Sequence, residues 1–243
     1  NLINVTLDEM NKSLNQLKAD LQEFRPFYMT GLNEALKIQD IANEINNLKV
    51  KYDNSKNSES DYNAILRALI KIKIPEKISK TREASSFLFV PQKDLIDMEI
   101  IKSIGGGNYS LSKAEDYKKA VILWQIENVD LLIDVNEFSG VYGSSTEPIL
   151  KTFEVSAKQK NRGIDYDYYL IIPEKSNIHF YGNVDRSSEF VYTNLKNNPQ
   201  FSFYTTEDTE LSELPLFVSP SLSKLSIKEV GPPPSPKKSK TLI

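Results

Sequence analysis

Ile3, Leu7, Met10, Leu14, Leu17, Leu21 and Phe24 follow one another at spacings of 4, 3, 4, 3, 4 and 3. That alternation keeps one stripe of an α-helix apolar for three heptads. It constrains the N-terminal segment to a helix that buries its stripe against other helices. Thr6 and Glu9 have the spacing of a capping box, and Asp8 and Glu9 suit the positive end of a helix dipole. Pro26 disfavours helical geometry at Arg25, so this helix should end near Phe24. A second helix is expected from about Thr30, on Ile38, Ile41, Ile45, Leu48 and Tyr52. After a polar loop over Asp53–Ser60, a third is expected over Asp61–Lys73, closed by Pro75. Residues 1–82 therefore read as a helical arm, an antiparallel hairpin or three-helix bundle. Its stripe either packs within the chain or serves as an intermolecular, coiled-coil-like seam of Leu7, Met10, Leu14, Leu17, Leu21 and Phe24.

From about Phe87 the pattern changes. Short apolar runs bounded by turn residues predict strands at Ser86–Val90, Val129–Val135, Ile149–Ser156, Tyr166–Ile172, Ile178–Tyr181 and Phe201–Thr205. Helical spacing predicts helices within Pro91–Ile104, over Ser112–Glu127 with Trp124 as a core anchor, and from Asp185 to about Asn197. Helices that alternate with strands argue for an α+β body over residues 83–223, with an α/β sheet as the variant. Residues 224–243 form a basic tail with a Gly-Pro-Pro-Pro-Ser-Pro-Lys-Lys run, whose composition favours polyproline II or disorder.

Charge narrows the functional classes. The chain carries −3 overall, with +2 on the arm and +4 on the tail, so the body carries −9. An acidic body repels a phosphate backbone, which disfavours nucleic acid as its partner. There is no cysteine, so disulfides, thiolate chemistry and zinc–thiolate sites are excluded. A single histidine, His179, excludes multi-histidine metal sites. No apolar run approaches the roughly 18–20 residues of a bilayer span, and no secretory signal is visible. The chain opens on Asn1 rather than Met, as a processed product or a fragment would. An intracellular setting, or a place within a viral or other large assembly, is the expectation.

Few constellations carry chemistry. Asp134 ends a predicted strand, Glu154 lies on the next, and Lys158 follows four residues on. Carboxylates at neighbouring strand ends with a lysine can bind Mg²⁺ and activate water for phosphodiester hydrolysis. The order faintly resembles the restriction-type nuclease pattern of an Asp followed by Glu-x-Lys, but Ser156 stands where that pattern has its lysine. Lys158 would share a face with Glu154, about 13 Å further along the strand. Gly105–Gly107 lacks the Gly-Lys-Ser/Thr that a phosphate loop needs, and reads as a turn. His179 could pair with Asp185 or a nearby serine, yet the turn at Gly140–Ser145 lacks nucleophile-elbow spacing. Tyr166, Tyr168, Tyr169, Phe180 and Tyr181 form an aromatic group suited to sheet packing. In the tail, Pro233, Pro236 and Lys238 fit a Pro-x-x-Pro-x-basic ligand, and Ile243 could offer its carboxylate to a sheet edge.

The sequence thus points to a non-enzymatic structural or assembly protein without cofactor. Its partner would be a protein or a second copy of itself, engaged through the arm, with the tail as tether. The alternative is a metal-dependent nuclease or phosphodiesterase using Asp134, Glu154 and Lys158, with Mg²⁺ as its cofactor.

Overall fold

The structure, a computed structural model, describes residues 2–55, 58–174 and 177–227, with 83–85 as backbone alone. The tail residues Pro233, Pro236, Lys238 and Ile243 lie outside the described residues, as does most of the basic segment. Among the described residues the fold is α+β, six α-helices and two antiparallel sheets.

The first helix, α1, spans Leu2–Leu21. It has already begun at Thr6, whose hydroxyl donates to the Leu2 carbonyl, so the expected Thr6–Glu9 capping box does not form. Pro26 opens α2 (Pro26–Ala35) instead of merely closing α1, because its missing N–H is no loss in a first turn. Lys37, in the left-handed region at φ 51°, separates α2 from α3 (Ile38–Asn54). Helix α4 (Glu59–Leu69) starts on Ser58, whose hydroxyl accepts from the Asp61 N–H.

Ile3, Leu7, Leu14, Leu17 and Leu21 are all buried, and Met10 and Phe24 pack beside them. Their partners are the apolar faces of α2, α3 and α4 together with Ile78, Phe138, Leu150 and Tyr204 of the body. The heptad stripe is therefore spent inside the chain. Each fully buried leucine contributes about 1.5–3 kcal/mol.

Strand β1 (Lys77–Leu88) crosses the boundary expected at 82/83 and joins the first sheet. A 3₁₀ turn and α5 (Met98–Gly105) follow, then α6 (Ala114–Asn128). The glycine run ends α5. A Cβ on Gly105 would meet the Ser221 backbone at 2.6 Å, and Gly106 sits at φ +67° with an extended ψ, a region open only to glycine.

Strands β2 (Val129–Tyr142) and β3 (Ser145–Gln159) form a long hairpin, closed by Gly143 at φ +60°. Next come β4 (Tyr168–Pro173), β5 (Ile178–Tyr181), β6 (Asp185–Arg186), β7 (Phe190–Asn194), β8 (Gln200–Thr205) and β9 (Phe217–Pro220). Asp185–Asn197, expected as a helix, is thus a strand pair with a turn. Phe190, Val191, Tyr192 and Thr193 are aromatic and β-branched and favour the pleated conformation.

The sheets run β1-β2-β3-β8-β5 and β6-β7-β4-β9. The chain passes repeatedly from one to the other, so one core serves both. Leu131, Ile133, Val135, Phe153, Val155, Phe201 and Phe203 face that core with α5, α6 and the second sheet. The alternate residues lie on the opposite face of the first sheet. There the arm covers Asn136, Phe138, Leu150, Thr152 and Tyr204, all buried, at one end.

Candidate functional site

That second face of the five-stranded sheet is where two polar constellations of interest meet the arm. Register fixes its rows. Leu88 pairs with Leu132 and Leu132 with Ser156, which pairs with Gln200. One row on, Ser86, Asp134, Glu154 and Ser202 are successive cross-strand neighbours. One row back, Asp130 faces Lys158.

Asp134 and Glu154, read from sequence as a carboxylate pair, are therefore directly opposite each other. Each has a local partner. Ser86 donates to Asp134, while Arg25 Nη2 (2.7 Å) and the Tyr28 hydroxyl (2.9 Å) both donate to Glu154 Oε2. Tyr28 itself accepts from Arg25 and from Asn136 Nδ2 at 3.2 Å. Burial, then the neighbouring Glu154 carboxylate, pushes the Tyr28 phenol above its usual range, and the hydrogen bond to Glu154 raises Arg25. Lys158 stands two rows from Glu154, exposed and without an ion pair among the described residues. Among the described residues, no group of three or more His, Cys, Asp or Glu side chains is placed to hold a metal ion.

A second polar cluster ties the other end of α2 to the sheet. His179 Nδ1 lies 2.8 Å from Glu34 Oε1, and the Tyr204 hydroxyl donates to Glu34 Oε2. The imidazole stacks on the Tyr204 ring at 5.2 Å and 7°. Burial, then the Glu34 contact, drives the Tyr204 phenol far above the usual tyrosine range. The partner of His179 is thus a glutamate of the arm, 145 residues away, and not the expected Asp185 or a serine. The cluster lines an open cavity of about 370 Å³ with Glu174, Phe180 and Arg186, the last bonded to Glu174. Together, Arg25 before α2 and Glu34 near its end fasten the helix across the sheet.

A third group lies on the core-side face of the same sheet. Lys151 has a side chain only 9% exposed. Its ammonium reaches Asp208 (2.8 Å), the Thr209 carbonyl (3.1 Å) and Glu137 (3.5 Å). Burial opposes its charge, yet Asp208 and then Glu137 outweigh that and hold it above the usual lysine range; Asp208 is held low in return. Two hydrogen bonds and a second carboxylate at ion-pair distance compensate the burial of this lysine. The group borders a cavity of about 180 Å³.

The aromatic group sits in packing positions. Tyr168 is buried against Trp124, Tyr169 meets Tyr192, and Tyr181 meets Phe27. Sequence reasoning missed Arg25, Glu34 and Lys151, because the contacts that define them, to Glu154, to His179 and Tyr204, and to Asp208, are made across 57 or more residues.

Beyond the row of Asp134 and Glu154 the arm leaves the sheet uncovered. Leu88 is 62% exposed and Leu132 37%, and Ser156, Lys158 and Gln200 are exposed beside them. Comparison with known protein families, with curated proteins and with solved structures finds no match. No described helix is long and apolar enough to cross a membrane.

Proposed function

We propose that this protein is a non-enzymatic assembly component that docks through the uncovered half of the five-stranded sheet. The observation that carries this reading is the Leu88–Leu132 row, apolar side chains left open on a sheet whose other half is sealed by the arm. Exposed leucines on an otherwise ordered sheet face gain by association. The arm serves as a buttress, since its apolar stripe already has partners within the chain. The test is recovery of native complexes on tagged full-length protein, wild type against Leu88→Glu plus Leu132→Glu. Loss of every associated species from the double variant supports the reading; an unchanged set overturns it.

A second reading is favoured by one feature, the in-register pairing of Asp134 with Glu154. Two facing carboxylates with Lys158 along the strand could bind Mg²⁺ and orient water for phosphodiester cleavage. Arg25 would have to release Glu154 for this. Assay of DNA and RNA substrates with Mg²⁺ or Mn²⁺ decides it: the reading requires cleavage that Glu154→Ala removes, and inactivity on every substrate ends it.

A further inference from the structure

We infer that the occupant of the open sheet face is a second copy of this chain, related by a two-fold axis lying along the Leu88–Leu132 row. This rests on the docking reading above and specifies its partner.

The argument is one of charge order. Three rows are open: Asp130 with Lys158, then Leu88, Leu132 and Ser156, then Asp134 with Glu154. Lys160 adds a second cation to the first row, 3.1 Å from Asp130. The first row, with Asp130, Lys158 and Lys160, thus carries a net +1, and the third, with Asp134, Glu154 and the Arg25 guanidinium bonded to Glu154, a net −1, with apolar side chains between them. A two-fold axis in the interface along the middle row, across the strands, reverses the row order in the facing copy. Leucine then meets leucine. Lys158 of each copy meets Glu154 of the other, with Asp134 next to it, and the Asp130–Lys160 pair meets Asp134.

The local bonding leaves room for this. Both hydrogen bonds to Glu154 fall on Oε2, and among the described residues Oε1 accepts none. Lys158 has no ion pair among the described residues. The other two-fold, running along the strands, sets each row on its own copy, like net charge on like, with Glu154 over the facing Asp134, and is disfavoured; in the chosen arrangement Asp130 also lies over Asp134, but it brings Lys160 with it and the rows meet with opposite net charge. Isologous contacts of this type are self-complementary and close at the dimer. Four strands by three rows cover about 400 Å² on each side. That makes about 800 Å² in total, short of the roughly 1,000 Å² that a stable specific interface clears, so the dimer is weak and transient and forms at high micromolar concentration.

The test uses the purified full chain. Light scattering behind size exclusion should show the mass rising with concentration from 27.7 kDa toward twice that value. Lys158→Glu alone sets a carboxylate on Glu154, and Glu154→Lys alone sets a cation on Lys158; each, with its far-ultraviolet circular dichroism unchanged, should remain at the single-chain mass. An equimolar mixture of the two restores both attractive pairs and should recover the dimer. Because the chain lacks cysteine, Ser156→Cys gives a unique thiol on the middle row. A short bismaleimide should couple it to itself, whereas Ser13→Cys on the exposed side of α1 should not couple. A single-chain mass at every concentration overturns the inference, as does a mixture that fails to restore the dimer. If the purified chain stays monomeric while the double leucine variant still loses its native complexes, self-pairing alone falls and docking stands. If neither assay responds to the sheet face, both fall.

Discussion

A carboxylate's role is set by what the fold places beside it. Glu154 and Glu34 each anchor an end of α2 to the sheet, through Arg25 and Tyr28 in one case and His179 and Tyr204 in the other. The Arg25–Glu154 pair is partly exposed and contributes at most about 1 kcal/mol. Tyr28 matters more, because its hydroxyl also serves Asn136, a fully buried amide. Lys151 and Asp208 give a residue-scale test. The folded protein holds Asp208 below the usual aspartate range through Lys151. On acidification the unfolded chain therefore takes up the proton first. The pair's stabilisation is complete above the ordinary aspartate range and is lost as pH falls through the lowered value. Asp208→Asn should flatten that acid limb in denaturant unfolding measured against pH. An acid limb identical to that of the wild type would mean that the contact is not formed in solution.

At the scale of elements, α1 is an internal strut. Leu14 is 3% exposed within the helical cluster. Leu14→Ala should lower the unfolding free energy by about 2–5 kcal/mol, read as a lower denaturant midpoint. A shift below about 0.5 kcal/mol, as for an exposed position, would mean that the stripe is not packed as described. The helix was legible because seven residues repeat on one period, and Val129–Val135 and Ile178–Tyr181 because their apolar runs are bounded by turn residues. The β7 strand was read as helix, since Asp185 looks like a cap; the run Phe190–Thr193 carried the contrary signal. The joint between α2 and the sheet was not legible at all. Arg25 and Glu154 are 129 residues apart and meet only once β2, β3 and the arm are assembled. Asp134 and Glu154 were legible as a pair because a hairpin makes register local, but Arg25's claim on Glu154 was not.

For the whole molecule, the arm and the open sheet half divide the work. The arm seals one end of the second sheet face, so the chain folds around two apolar clusters that share the five-stranded sheet. The other end of that face keeps Leu88 and Leu132 in water, between a cationic and an anionic row. Stability and association should therefore respond to different residues. We would measure absolute mass in solution for the full-length wild type, Leu132→Glu and Leu14→Ala, at matched concentrations through the micromolar range and below the unfolding midpoint of each. Leu132→Glu should hold the chain at 27.7 kDa while the wild type and Leu14→Ala both form the larger species. Mass that falls with Leu14→Ala and is indifferent to Leu132→Glu would return the heptad stripe to the contact surface and contradict a docking role for the sheet face.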